Sequence, residues 1–130
     1  MGPASWTRSL VSAPEVFERG DVVWLEFDPV LGHEQGGRRP AVVISTRQYN
    51  AASSFVLVCP VTTNDTPWPF KVPLGEDAPV EGWALSDQIR TIDPRAHHAK
   101  RAGQVGPQTL LLISQLVATL FNLPDPISVP

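Results

Sequence analysis

Between Asp28 and Pro40 the chain sets an imidazole (His33), a carboxylate (Glu34), an amide (Gln35) and two guanidiniums (Arg38 and Arg39) within a few residues of one another. Planar guanidiniums grip the oxygens of phosphates and carboxylates through paired hydrogen bonds, so the chemistry this stretch suits is chemistry on an anion. Three glycines and two prolines in the stretch break helix and strand alike. Apolar runs flank it, Val22 to Phe27 before and Ala41 to Ile44 after. A loop held between two strands presents its side chains from a rigid base. The same composition also suits a solvated hairpin turn, and the order of residues has to decide between the two.

The elements around the loop are short. After the turn Arg19-Gly20-Asp21, the pattern predicts a first strand with Val23, Leu25 and Phe27 toward the core and Val22, Trp24 and Glu26 on the other face. Pro40 is expected to open a second strand over 41–45, followed by a turn of helix over 46–50. Phe55 to Thr63, apolar on both faces, reads as a central strand. A bulge or an edge is expected at Pro60, which has no N–H to give a ladder, and a bulge there would re-aim Thr62 and Thr63. Further strands are expected over 68–72 and, as one or two pieces, over 83–92. The loop 75–82, with Glu76, Asp77 and Glu81, reads as solvated. Arg95 to Gly103, holding His97, His98, Lys100 and Arg101, reads as a polar, partly basic strand edge; two adjacent histidines without a third ligand are a weak metal signal. Pro107 to Phe121 reads as a helix, with Pro107 at its first position and Pro124 just beyond its end. Its apolar stripe, from Leu110 to Phe121, covers about half the circumference, wider than one small core needs, so part of it is expected to face a second copy of the chain.

Composition narrows the class. At 130 residues the chain is expected to be one domain with a real core. Fourteen prolines and nine glycines favour short strands over long helices. Five or more short strands and one terminal helix indicate a mainly β domain, a small barrel by preference. The expected division is an arm over 1–18, the domain over 19–123 and a loose tail over 124–130, with Trp6 and Phe17 pinning the arm. A formal charge of −3 excludes a general nucleic-acid coat protein, which would be basic; contact with a nucleic acid would have to be local, through a few arginines. No apolar stretch reaches the roughly 18 residues of a membrane span, and residues 1–18 lack a signal peptide's apolar core. The single Cys59 fits a reducing, cytoplasmic setting and, inside an apolar run, reads as a buried inert thiol rather than a nucleophile.

Arg19-Gly20-Asp21-Val22-Val23-Trp24, then Gly32-His33-Glu34-Gln35-Gly36-Gly37-Arg38-Arg39-Pro40-Ala41-Val42-Val43, resembles the MazF/PemK (Kid) toxins of bacterial toxin–antitoxin systems. Pro60-Val61-Thr62-Thr63, Pro69-Phe70-Lys71-Val72 and Ser86-Asp87-Gln88-Ile89-Arg90-Thr91-Ile92-Asp93 match three further signatures in order, and Tyr49-Asn50 matches the family's short helix. The resemblance covers about residues 19 to 121. It implies an SH3-like small barrel of the CcdB/PemK/MazF type with a C-terminal helix. It also implies a homodimeric, sequence-specific endoribonuclease that cuts single-stranded RNA without a metal or other cofactor and is blocked by a cognate antitoxin, MazE-like or similar, with DNA reached only through that antitoxin. Carried over by position, Arg39 and Thr62 would be catalytic, Glu34 would matter as well, and Gln88 would contact RNA; Gln35, Thr63 and Trp68 are expected on the same RNA-facing surface. The chain departs from the pattern at His33, where a small residue is usual, in the loop Asn64 to Trp68, where Trp68 replaces a tyrosine or aliphatic residue, and in its longer arm. Two other readings belong to different classes: a gyrase-trapping poison like CcdB on the same fold, and an inactive RNA- or antitoxin-binding module. The signatures around Arg39 and Thr62, absent from the gyrase poisons, argue for the ribonuclease.

RNA carries its own nucleophile. The 2′-OH attacks the adjacent phosphate and expels the 5′-oxygen, so an enzyme need only align the groups, move protons and stabilise charge at phosphorus. Arg39, charged at any ordinary pH, suits charge stabilisation, with proton donation toward the leaving oxygen as a second role. Thr62 can donate to a non-bridging oxygen, unless it is merely a strand hydroxyl bonded to a neighbour. Glu34 or His33 could take the 2′-OH proton, and His33 has the better ordinary pKa for it; otherwise it is an exposed loop histidine. Arg38 should point away from Arg39 if the segment is extended. Trp68 could stack on a base or serve as a core or interface aromatic.

Overall fold

The structure is a computed structural model that describes residues 15–27 and 37–122. His33, Glu34 and Gln35, together with Trp6 and the tail from 123, lie outside the described residues. Seven strands and two helices follow in the order β1 (Asp21–Phe27), β2 (Gly37–Val43), α1 (Arg47–Ser53), β3 (Val56–Thr62), β4 (Lys71–Pro73), β5 (Trp83–Leu85), β6 (Arg90–Ile92), β7 (Lys100–Gln104) and α2 (Pro107–Phe121). All pairings are antiparallel. The hydrogen-bonded order is β4-β5-β3-β2-β1-β7, with β6 beside β3. The sheet does not close on itself: among the described residues β4 and β7 are its two ends. The mainly β architecture with a C-terminal helix is as expected, and its curvature is barrel-like.

Both faces of the central strands are buried, in two clusters. Val23 and Leu25 of β1, Ala41 and Val43 of β2, Val56 and Val58 of β3 and Ile92 of β6 form one, capped by Phe17. Val22, Val42, Cys59, Val72, Leu74 and Ala84 form the other beneath Ile113 of α2. The alternation in β1 therefore marked only one of two cores. Val22, assigned to the far face, is fully buried in the second. Phe17 is pinned as expected, and Asn50 of α1 does part of the pinning: its amide donates to the Phe17 carbonyl (2.8 Å). Ser45 donates to Asn50 in turn, so a short buried polar network ties the incoming chain to the sheet. Thr46 caps α1 by accepting from the Tyr49 N–H (3.2 Å).

Three expectations need correction. First, β2 begins at Gly37, and Pro40 sits inside it opposite Trp24 of β1. The β2–β3 ladder starts only at Ala41, paired with Pro60, so the missing N–H of Pro40 falls where β3 does not reach, and residues 37–40 form a two-stranded overhang with β1. Second, of the bulge or edge expected at Pro60 only the edge is present: the register of β3 with β2 runs unbroken through Pro60, Cys59 and Val58. Instead β3 changes neighbours on its other side, pairing β6 over Val56 to Val58 and β5 at Val61 and Thr62, and Pro60 lies in the gap. The register shift in the sheet is between Val22 and Val23, against β7. Third, the strand expected over 68–72 is Lys71–Pro73, which leaves Trp68 in the preceding loop.

Helix α2 has the predicted bounds, with Pro107 in its first turn. Leu110, Leu116 and Val117 pack with Ile113 on the second core. Leu112, Leu120 and Phe121 of the same stripe, and Leu111 beside it, stay exposed, Phe121 at 61%. No helix among the described residues is long and apolar enough to cross a membrane.

Candidate active site

A groove of about 1000 Å³ opens where the β2–β3 ladder stops. The last pair is Ala41 with Pro60. Arg39 and Thr62 each lie two residues beyond that pair, so with a side-chain period of two each shares the face of its own strand's end residue. Both line the groove. Arg39 stands opposite Leu25 on the β1–β2 overhang and is exposed. Thr62 ends β3, pairs with Trp83 of β5 and is half-buried. Its Oγ1 accepts a hydrogen bond from the Asn64 N–H (3.1 Å), which occupies a lone pair and leaves the hydroxyl proton free to donate elsewhere.

Arg38 lies opposite Glu26, on the other face of β2 from Arg39. Its guanidinium sits over the Trp24 ring, 5.2 Å from the centroid, where a cation–π contact holds it; it edges the groove from that side. Gln88, exposed in the turn between β5 and β6, lines the groove, as does Thr63. Trp68 does not line it. Its indole N–H donates to Asp87 Oδ2 (2.8 Å), and its ring tilts against Phe70 with half its surface exposed.

The structure adds residues that sequence reading passed over. Arg90 of β6 lines the groove, its guanidinium 5.4 Å from the Phe27 centroid. It stood within the fourth matched signature, two residues after Gln88, and that spacing was the available signal. Glu76 and Glu81 line the groove as well, so the loop 75–82 is not simply solvated: Ala78 and Val80 pack on the second core and carry the two acids to the site. Arg38, Arg39 and Arg90 thus face a groove with two carboxylates on its margin, in a chain whose net charge is −3. The cationic surface is local, as the composition required.

Cys59 is fully buried, and burial, reinforced by the Asp87 carboxylate, pushes its thiol up to about 12; it is inert packing. His97 Nδ1–H donates to the Glu26 carbonyl (2.8 Å), and His98 Nδ1 lies 3.2 Å from Glu26 Oε1, so each is engaged locally at the end of β1. Among the described residues no three His, Cys, Asp or Glu side chains converge as metal ligands do.

The small antiparallel β domain with one C-terminal helix thus carries Arg39 and Thr62 in one groove, lined by two more arginines, Arg38 and Arg90. Residues 18–121 match the family described as the PemK-like, MazF-like toxin of type II toxin–antitoxin systems, and the chain belongs to that family. It is 41% identical over 106 residues to the endoribonuclease toxin MazF of Escherichia coli K12, covering 81% of this chain and 94% of that one. It is 41% identical over 110 residues to the endoribonuclease toxin ChpB of the same strain, covering 78% and 94%. Among solved structures, a MazE–MazF crystal structure from Deinococcus radiodurans superposes with a TM-score of 0.78 at 35% identity, over 85% of this chain and all of that one.

Proposed function

We propose that the chain is the toxin of a toxin–antitoxin pair, an endoribonuclease that cuts single-stranded messenger RNA in the cytoplasm by attack of the substrate's own 2′-OH, without a metal. The observation that supports the mechanism best is that Arg39 and Thr62 line the same groove, just beyond the open end of the β2–β3 ladder. In this reading the scissile phosphate lies between them. Arg39 binds its non-bridging oxygens as a planar fork and holds the charge that builds at phosphorus. Thr62, its lone pair occupied by Asn64, donates its proton to one of those oxygens. Glu34 or His33 removes the 2′-OH proton, the new 2′-O–P bond forms, and the 5′-O–P bond breaks. The leaving 5′-oxygen takes a proton from Arg39 or solvent. The products are a 2′,3′-cyclic phosphate and a 5′-hydroxyl.

Arg90 and Gln88 carry the flanking nucleotides in this scheme. Thr63 and Gln35 add polar contacts, and the exposed face of Trp68 is a platform for a base leaving the groove. The relatives named above are endoribonuclease toxins, and one solved relative is a MazE–MazF complex; both favour a ribonuclease held in check by an antitoxin over a gyrase poison. The antitoxin would block the groove and bring any DNA contact indirectly. The exposed apolar residues of α2, Leu111, Leu112, Leu120 and Phe121, suit a two-fold homodimer.

The test is a comparison of three variants on a mixed-sequence RNA. Arg39→Ala and Thr62→Ala should remain folded and lose roughly 10²- to 10³-fold in cleavage rate, the usual effect of deleting one transition-state donor. Arg39→Lys should recover only part of the loss, since an ammonium cannot reproduce the fork. Arg38→Ala, which removes a guanidinium held over Trp24 at the groove's edge, should lose far less. A folded Arg38→Ala as impaired as Arg39→Ala would show that the roles are assigned to the wrong arginine.

A further inference from the structure

We propose that Lys71 is a positioning residue for Thr62, acting through the loop that joins β3 to β4; the inference rests on Thr62 having the donor role given above. The loop leaves β3 through two side chain–backbone turns in succession. The Asn64 N–H bonds Thr62 Oγ1 (3.1 Å), and the Thr66 N–H bonds Asn64 Oδ1 (2.8 Å). Turns of this kind satisfy backbone groups locally but are weak alone at an exposed site. Lys71 closes them from outside. Its ammonium donates to the Asn64 carbonyl (2.5 Å) and to the Thr66 carbonyl (2.6 Å), and it lies 5.7 Å from the centroid of the Trp83 ring.

Lys71 itself cannot wander. It begins β4, pairs with Leu85, and its N–H donates to the Trp68 carbonyl (3.0 Å). The far end of the loop is tied to the turn that carries Gln88, through the indole of Trp68 and the carboxylate of Asp87. Trp83, under the ammonium, is the cross-strand partner of Thr62. One cation therefore bridges both carbonyls of the loop to the strand pair that bears Thr62. A hydroxyl whose lone pair is held by a fixed N–H has its proton aimed; when Asn64 moves, the hydroxyl rotates freely among several acceptors. Lys71 does not itself line the groove, so its contribution to Thr62 passes through Asn64.

The experiment uses the full chain with Lys71→Met, which keeps an apolar stem over Trp83 but removes both hydrogen bonds, and Lys71→Arg, which can restore them. Lys71→Met should lower kcat roughly 10- to 100-fold, the range for a misplaced catalytic group, with KM little changed, and Lys71→Arg should recover most of it. In a Thr62→Ala background the same substitution should cost nothing further, because its target is gone. The exchange of the Asn64 amide proton, followed by NMR, should accelerate in Lys71→Met while the amides of β1 and β2 stay protected. An unchanged kcat, or an equal loss in the Thr62→Ala background, overturns the inference. A retained Asn64 protection overturns it whatever the protein cleaves, which separates failure of the clamp from failure of the ribonuclease reading.

Discussion

Gly82 offers the sharpest structural perturbation of the site. It adopts φ +131°, and a Cβ built there would collide with the Thr62 carbonyl oxygen while lying 2.9 Å from Val61 Cγ1 and 3.2 Å from the Thr62 carbonyl carbon. Two of the three obstacles are backbone and cannot rotate away. Gly82→Ala therefore combines a strained dihedral, about 1–3 kcal/mol, with a steric shift of about 1–3 kcal/mol. Allowing for partial relaxation, the loss should be about 2–4 kcal/mol, or roughly 8–16 °C in Tm for a domain of this size. Gly75 supplies the control. It has φ +91° and nothing within 4 Å of a built Cβ, so Gly75→Ala carries only the dihedral cost, about 1–2 kcal/mol. The collision also pushes directly on the residue assigned as the phosphate donor. At a temperature where both variants are folded, Gly82→Ala should cut RNA up to about 100-fold more slowly, and Gly75→Ala near the parent rate. Thermal denaturation and a single-site cleavage assay measure both. A Gly82→Ala protein as stable and as fast as Gly75→Ala would refute the placement of Thr62 against β5.

The exposed half of the α2 stripe should hold a dimer together: Phe121→Glu, which puts a charge among Leu111, Leu112 and Leu120, should convert a dimer to a monomer in sedimentation, and a parent chain that is already monomeric at tens of micromolar would contradict the proposal. Cys59 sets a pH dependence. Its thiol is raised from 9.0 to about 12 in the folded protein, so between those values the unfolded state gives up the proton first, and stability falls as pH rises, with a ceiling of about 1.4 kcal/mol per pH unit. Denaturant titrations of the parent and Cys59→Ala from pH 8 to 11 should converge with rising pH, and curves that stay parallel would show that the thiol is not held protonated by the fold.

Much of the fold was legible because the signals were local. Pro107 and the apolar spacing after it fix α2 to the residue, and Thr46 with Asn50 mark α1. The prolines in strands were legible only in part, for a physical reason: Pro40 and Pro60 are each tolerated because the neighbour their missing N–H would have served is absent at that point, and neighbour changes cannot be read from one strand alone. Arg39 and Thr62 were legible through the resemblance. Their meeting in one groove depends on a strand order that no local pattern encodes. Arg90 was missed because a three-residue strand has no periodicity, and only its pairing opposite Val58 brings it to the groove. In the 75–82 loop the acids dominated the composition, while Ala78 and Val80, too few to form a pattern, decide where the loop packs.

The central claim, that this groove lets RNA cut itself with its own 2′-OH, is tested most directly by one substrate pair. A short single-stranded RNA carrying a single mapped cleavage site is compared with the same strand bearing one 2′-deoxynucleotide at the scissile position, both in excess EDTA. The expected result is cleavage of the first strand to a 2′,3′-cyclic phosphate and a 5′-hydroxyl, and no cleavage of the second at that position. Cutting of the 2′-deoxy strand, or a requirement for Mg²⁺ with the all-ribose strand, would contradict it.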